Sequence, residues 1–456
     1  MESAVNGAWR NGSAANRFAI EVVQRLRSEG FQALWAGGCV RDLFLGKSPS
    51  DYDVATDAVP EQVMKLFRRT VPVGLSFGVV RVLGATRGTE IEVATFRSDG
   101  RYLDGRRPED VKFGSASEDA ARRDFSINGM FLDPISGEII DYVGGRNDLE
   151  AGIVRAIGDP HKRFAEDKLR LLRAVRFAAR FGFQIETQTQ IAMETHAAEI
   201  AVVAAERIAQ ELLKILQHPS RAYGIRLAQQ TGLLAAILPE VDRMYGWPQA
   251  GNAGTEESSI GQHLERVLER LVPEPGTSPV LGLAALLHEL GRDSCDLAPR
   301  SPGESPLVQK DHWGAERAGL VGLRLKLSRA DCERMSWLVE NQAAIERIAE
   351  VMPAVRKRLL HHPGICDLIC LTRAHAESEQ QTTRQVEFAE HYLGTLPEGP
   401  LDPPALLNGR DLQSLGIPAG PIFKHLLEQV RDEQLNGSLT THEQALAWVR
   451  NQHGIS

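Results

Sequence analysis

The segment "SPSDYDVAT" (48–56) sets Asp51 and Asp53 two residues apart. In an extended strand, residues i and i+2 project to one face, so both carboxylates can meet one cation. Carboxylate oxygens are hard ligands suited to Mg²⁺, which completes its shell with phosphates and water. A D-x-D alone is common, and a solvated turn is the plain reading of Asp and Ser at such a place. The preceding "WAGGCVRD" adds weight to the metal reading. Gly37 and Gly38 let the backbone come close to a ligand, and N–H groups there can hold phosphate oxygens. Arg41 can pair with phosphate or with its neighbour Asp42. A third acid, Glu92 in "TEIEVATFR", shares a strand face with Glu90 and Ala94; it is either part of the same acidic set or an ordinary charged strand residue.

Several elements must position these groups. Helical periodicity over 15–30 ends at Gly30, and the apolar run "FQALWAG" reads as a strand feeding the Gly37–Gly38 turn. A helix at about 59–69 follows the acids, then two strands, "FGVVRVLGA" and "TEIEVATFR". Residues 97–117 are polar, glycine-rich and aperiodic, and read as a mobile loop. "EDAARRDFSINGMF" reads as helix and "EIIDYVGG" as strand; from about 160 the pattern is helical, broken at 245–259 and at "LPEGPLDPP".

A chain of 456 residues predicts roughly two to four domains. The formal charge of −8 excludes an all-over nucleic-acid coat but leaves room for a local basic groove. Residues 162–180 are such a stripe, with seven Lys or Arg against two acids. Five cysteines without a C-x-x-C pair suit a reducing compartment and no structural zinc. There is no apolar leader, and no stretch approaches the roughly 18 apolar residues of a membrane span. The expectation is a cytoplasmic protein with no membrane partner.

Three ordered segments carry a family resemblance. "LWAGGCVRDLFLGKSPSDYDVATDAVPEQV", "RRDFSINGM" and "AEDKLRLLRAVRFAARFGF" resemble the class II tRNA nucleotidyltransferase and bacterial poly(A) polymerase family. The resemblance runs from about residue 20 to 235 and resumes at 405–450. It implies an α+β fold: a polymerase-β-like nucleotidyltransferase head (15–150), then a mostly α-helical neck carrying the nucleotide-selecting motif (151–245), body (260–393) and tRNA-binding tail (401–456). It also implies two Mg²⁺ ions on Asp51 and Asp53; Glu92 stays the candidate third catalytic carboxylate, and Gly38 and Arg41 the candidate nucleotide contacts read from the residues themselves. The substrates implied are ATP, CTP and the 3′ end of tRNA.

Along "RRDFSIN", Asp124 and Asn128 read as i and i+4 on a helix, able to hold ribose hydroxyls while Arg122 or Arg123 reaches the triphosphate. A salt-bridged surface helix is the plain alternative; the resemblance assigns Arg123, Asp124 and Asn128 to the nucleotide. Gly129 stands where the family commonly has Ala, and reads as loosening that helix by about 1 kcal/mol. In "FAEDKLRLLRAVRF", Asp167, Arg170 and Arg173 recur at spacing three on one helix face, with Leu169, Leu172, Val175 and Ala179 on a neighbouring one. An Asp accepts from an exocyclic amino group and an Arg donates to a ring acceptor, which suits adenine and cytosine and rejects guanine and uracil. A local ion pair such as Glu166 with Arg170 is the plain alternative. The family pattern E-D-x-x-R falls on Glu166, Asp167 and Arg170.

The branches of the family differ elsewhere. Its poly(A) polymerases resemble "VGRRFRLAHV" where this chain reads "VGLSFGVVRV", and the tail resembles that of CCA-adding enzymes, with Arg410 and the Gly416–Gly420 turn as candidate contacts to the tRNA elbow. The full-length loop at 97–117, with Asp104, Arg106 and Arg107, is what the family needs to switch from C to A addition. Complete CCA addition is therefore expected. The alternatives are A-only or CC-only addition, poly(A) synthesis, or an RNA-binding protein whose catalysis is lost. In the body, His263, His288 with Glu289, and His312 follow the order of an HD phosphohydrolase and form a candidate vestigial site. Glu289 replaces the motif's Asp and His375 stands where a final Asp is expected, so a degenerate, structural domain is the expectation.

Overall fold

The computed structural model describes residues 12–86, 88–99, 111–249, 259–292, 306–397, 399–418 and 420–453. The chain divides after Pro239 into two compact units. Asp104 and Arg106 lie outside the described residues.

The first unit opens with α1 (Ala14–Ser28), whose Ala19, Val22, Val23 and Leu26 are buried at helical spacing. Then come β1 (Ala33–Ala36), α2 (Gly38–Phe44), β2 (Asp53–Thr56), α3 (Pro60–Leu66), β3 (Thr70–Gly74), β4 (Val79–Leu83) and β5 (Glu90–Thr95). A separate hairpin, β6 (Arg97–Asp99) with β7 (Val111–Phe113), is followed by α4 (Ala116–Ala121), β8 (Phe131–Leu132) and β9 (Ile139–Ile140). Among the described residues seven strands form one mixed sheet, in the order β3-β4-β5-β2-β1-β8-β9. Only β2 and β5 pair in parallel there; the other neighbours are antiparallel. Central β1 is buried along its whole length, which its run Ala-Leu-Trp-Ala permits.

Three features differ from the sequence reading. Residues 97–117, read as one loop, pair at 97–99 with 111–113 as β6 and β7 and enter α4 at Ala116. Strand β3 has no counterpart in it: Pro72 and the exposed Val71 and Val73 give no strand-like alternation. It is an edge strand paired only with β4, where a residue lacking an N–H is tolerated. The "RRDFSIN" stretch is not one helix. Helix α4 stops at Ala121, Phe125 makes an extended bridge to Ala156, and Ser126–Asn128 is a single 3₁₀ turn.

The unit continues through α5 (Gly145–Ala151), β10 (Ile153–Val154), α6 (Pro160–Glu166) and α7 (Leu169–Phe181) to β11 (Gln184–Ile185), which pairs in parallel with β10. Helices α8 (Thr187–His196), α9 (Ala205–Gln217), α10 (Arg221–Gln230) and α11 (Leu233–Ile237) complete it. On α7, Leu171, Leu172, Ala174, Val175 and Ala178 are fully buried, which seats the opposite, arginine-bearing side at a cavity wall.

The division falls at the start of α12 (Pro239–Arg243). The second unit is helical among the described residues: α13 (Ile260–Arg270), α14 (Leu281–Leu287), α15 (Pro306–Arg324), α16 (Arg329–Ile345), α17 (Pro353–His361), α18 (Ile365–Ser378), α19 (Arg384–Thr395), α20 (Gly409–Ser414), α21 (Pro421–Leu435) and α22 (His442–His453). The last three helices share a small core that includes Leu412, Leu426, Val430 and Val449.

Candidate active site

The acidic side chains sit at the start of β2. Asp53 stands opposite Ala36 of β1 and in parallel register with Glu92 of β5. Residues in register on neighbouring strands, about 4.8 Å apart, point to the same face, so Asp53 and Glu92 lie side by side. Asp51 precedes the strand and is exposed; its Oδ1 accepts a hydrogen bond from the Ser50 hydroxyl at 2.7 Å. Burial, and then the charges of Asp51 and Glu92, push the Asp53 carboxyl up to about 6, against the opposing pull of Arg123. Such a set of mutually repelling hard oxygens is suited to a divalent cation. Glu92 is also tied to Arg81 Nη2 at 3.0 Å.

Gly37 adopts φ +72°, and a Cβ there would lie 2.9 Å from Arg123 Nη1, so only glycine fits. Arg41 turns inward from α2. Its Nε and Nη2 donate to Asp42 Oδ1 at 2.9 and 2.7 Å, its Nη1 donates to Asn128 Oδ1, and it lies over the rings of Phe177 and Phe181. The pair with Asp42, one of the two sequence readings, is therefore formed, and Arg41 positions Asn128. Arg122 and Arg123 both dock on buried Asp119: Arg122 donates to Oδ1 at 2.9 and 2.6 Å, Arg123 to Oδ2 at 3.1 and 2.9 Å.

Although no helix carries them, Asp124 and Asn128 still meet, because the 3₁₀ turn folds Asn128 Nδ2 back onto Asp124 Oδ1 at 3.0 Å. Arg173 of α7 donates to Asp124 Oδ2 through Nε and Nη2 at 2.8 and 2.5 Å. Burial alone would raise the Asp124 carboxyl; Arg173, Asn128 and the Phe125 N–H outweigh it and hold the group down at about 2. Gly129 is packed rather than loose: a Cβ would meet Val143 Cγ2 at 2.6 Å and Ile157 Cδ1 at 3.0 Å.

Asp167 is likewise not on the helix of Arg170 and Arg173. It caps the C-terminus of α6 with extended backbone (φ −144°, ψ 105°), at the break before α7. Its Oδ1 accepts from the Leu169 N–H at 3.1 Å and its Oδ2 from Arg207 Nη2 at 3.1 Å. Arg170 donates to Glu166 Oε2 at 2.6 Å and to the carbonyls of Arg163 and Arg122 at 3.0 and 3.2 Å. The i,i+4 ion pair, the plain alternative for this motif, is thus formed.

Asp51, Asp53, Arg123, Asp124, Asp167, Arg170 and Arg173 all line one open cavity of about 560 Å³, as do Gly38 and Arg41. Glu92 and Glu166 are not among its lining residues. Arg176, Arg180 and Arg207 line it as well and are not part of the set expected from the sequence. The first two continue the arginine row of α7 at spacings of three and four, a signal the sequence does contain; Arg207 comes from α9 and has none. Asp119 has a signal too, at i,i+3 and i,i+4 before Arg122 and Arg123.

In the second unit, His263, His288 and Glu289 lie together, joined by His375. His312 is not in the group. It is half exposed on α15 and paired with Glu340 at 3.0 Å, because its helix turns it away from the other rings. Arg410 is exposed on α20, and Gly416 takes φ +77° in the turn after that helix.

Residues 33–155 match the poly A polymerase head domain, and residues 182–245 match the probable RNA and SrmB-binding site of polymerase A. The chain is 44% identical over 226 residues to a CCA-adding enzyme of Anoxybacillus flavithermus, covering 49% of this chain and 56% of that one. It is 43% identical over 220 residues to one of Geobacillus stearothermophilus, covering 48% and 54%. These matches span about half the length of the curated relatives. Among solved structures, the Bacillus stearothermophilus CCA-adding enzyme in complex with CTP superposes with a TM-score of 0.73 at 26% identity, over 97% of this chain and 98% of that one. The Thermotoga maritima CCA-adding enzyme complexed with tRNA shares the fold, with a TM-score of 0.61 at 21% identity. The chain thus carries a poly A polymerase head domain on a mixed sheet and the adjoining polymerase A RNA-binding region, followed by a mostly helical remainder, and in this it is similar to the CCA-adding enzymes.

Proposed function

We propose that this chain is a CCA-adding tRNA nucleotidyltransferase of the cytoplasm, joining CMP and AMP from CTP and ATP to the tRNA 3′ end without a nucleic-acid template. One observation carries the reading: a single cavity has Asp51 and Asp53 together with Asp167, Arg170 and Arg173 in its lining. The relatives named CCA-adding enzymes and the solved CTP complex support it. The four-part division into head, neck, body and tail belongs to the same proposal.

In the reaction the terminal 3′-hydroxyl gives up its proton to solvent as its oxygen forms a bond to the α-phosphorus, the bond from that phosphorus to the bridging oxygen breaks, and pyrophosphate leaves. Mg²⁺ on Asp51 and Asp53 supplies Lewis-acid stabilisation of the charge on the phosphates, and the hard-oxygen set with its raised Asp53 fits that ion. Glu92, beside Asp53 and anchored by Arg81, adds the third carboxylate. Arg122 and Arg123, fixed by Asp119 before any ligand arrives, offer a preset cationic wall to the triphosphate. Asp124, kept ionised by Arg173, is an acceptor for a ribose hydroxyl. Asp167, held by Arg207, accepts from the amino group of cytosine or adenine, and Arg170 donates to the neighbouring ring acceptor by exchanging a hydrogen bond it now makes within the chain.

The test is to incubate a tRNA lacking its terminal CCA with each triphosphate singly and together, then sequence the 3′ ends. Ordered CCA is expected. Termination at CC, addition of A alone, a poly(A) tail, or binding without any transfer would each replace this reading by the corresponding alternative.

A further inference from the structure

The second unit holds a cluster of ligating side chains that nucleotide transfer does not use. His263 lies on α13, His288 and Glu289 directly follow α14, and His375 lies on α18. One ligand atom from each lies within 4.8 Å of all the others. The three imidazole centroids are 5.3–5.5 Å apart in every pair. His263 and Glu289 are fully buried and His288 is 2% exposed.

The protonation pattern follows from hydrogen bonding. His288 Nδ1 stands 2.7 Å from the carbonyl of Ala285, which can only accept, so Nδ1 carries the proton and Nε2 a lone pair. That Nε2 is buried without a hydrogen-bond partner among the described residues. The same is true of both ring nitrogens of His263 and of Nδ1 of His375. Glu379 Oε1 comes within 2.6 Å of His263 Nδ1, but without hydrogen-bond geometry. Buried polar atoms are normally satisfied, so several orphaned nitrogens around one point indicate a missing electrophile. Glu289 supplies charge: its Oε1 is 3.6 Å from His288 Nε2, while its Oε2 is anchored by Lys310 Nζ at 2.9 Å and by Arg292. Outer partners of this kind are what orient a ligating carboxylate.

We propose that His263, His288, Glu289 and His375 hold one divalent transition-metal ion of the zinc class, in a closed site that ties α13, the end of α14 and α18 together. Three imidazoles and one carboxylate suit such an ion and not Mg²⁺ or Ca²⁺. A tetrahedral ion with bonds of about 2.0–2.2 Å sets its donors roughly 3.3–3.6 Å apart, so the cluster, now within 4.8 Å, closes by side-chain shifts of about 1 Å. Four protein ligands at a buried point leave no open position for a reacting water, so the site is structural rather than hydrolytic.

Co²⁺ is the probe. Full-length protein is stripped with chelator and titrated with Co²⁺ in excess Mg²⁺. The visible bands of a tetrahedral nitrogen–oxygen site are expected to saturate at one equivalent and to be displaced by Zn²⁺. They persist in the Asp51→Ala/Asp53→Ala double variant, which separates this site from the head. His375→Ala, at the least buried ligand, weakens Co²⁺ binding by more than the roughly 10–100-fold that loss of even an outer partner costs. Absence of these bands in the wild-type chain overturns the proposal, as does their loss with the head acids or their survival unchanged in His375→Ala.

Discussion

At the scale of single residues, the site is governed by which charges are compensated. Asp51 and Asp53 carry like charge to the cavity and form the metal clamp of the proposed function, so Asp51→Ala or Asp53→Ala should remove that clamp and not a folding contact. Turnover is expected to fall by about 10³-fold or more, with circular dichroism near wild type and Tm not lowered. The raised carboxyl of Asp53 has a sign that can be checked. A folded-state value of about 6 against 3.8 means the folded protein binds the proton more tightly. That contribution is fully present below pH 3.8 and is lost as pH rises through 6. In EDTA, Asp53→Asn abolishes a loss of roughly 3 kcal/mol over that window, because each pH unit between the two values is worth about 1.4 kcal/mol. Denaturant titrations of both proteins from pH 4 to 7 measure it, and saturating Mg²⁺ suppresses it in the wild type. Asp167→Ala should act differently, because the proposed function puts Asp167 at the base and not at the phosphates. Discrimination of CTP and ATP against UTP and GTP should weaken by about 1–3 kcal/mol, read as a ratio of kcat/KM values.

At the scale of elements, the breaks matter more than the helices. The chain leaves α6 in extended conformation at Asp167, and this presents its carboxylate at the cavity while α7 presents Arg170 and Arg173. The second break, after α4, lets Asp124 receive Asn128 and Arg173 at once. The proposed function assigns base switching to the segment between β6 and β7, and a deletion tests it. The two strands pair as far as Asp99 with Val111, so deleting 102–110 leaves Gly100 and Arg101 as a two-residue connection that a hairpin can close. C addition should survive this deletion while addition of the terminal A falls at least tenfold, measured by single-turnover incorporation on tRNA ending in C and in CC. Equal loss of both would assign the segment to folding alone.

At the scale of the whole molecule, the net charge of −8 conceals a cavity wall rich in arginine. If the chain acts on tRNA as proposed, its affinity should depend on these placed cations and not on overall charge. The tail has its own core around Leu412, Leu426 and Val449, and Arg410 stands exposed on its first helix. Arg410→Ala is expected to raise KM for full-length tRNA severalfold and to lower the slope of log K against log salt by about one. Transfer to a short acceptor hairpin without an elbow should stay unchanged, which distinguishes a tRNA contact from a general loss of folding.

Period and order are written locally, and they made much of this protein legible. The i,i+2 spacing of Asp51 and Asp53, the glycines before them, the apolar face of α7 with Leu172 and Val175, and the succession of three motifs all depend on neighbours a few residues apart. The strands around the acids followed from the same local signals, whereas edge strand β3, with its proline, did not. What only the tertiary structure decided are the meetings between distant segments. Arg207 reaches Asp167 across 40 residues, Arg173 reaches Asp124 across 49, and His375 rather than His312 joins His263 and His288. Such pairings depend on how helices pack against one another, and a helix turned by 100° per residue carries a side chain toward or away from a cluster within a single position. No spacing along the chain encodes that rotation.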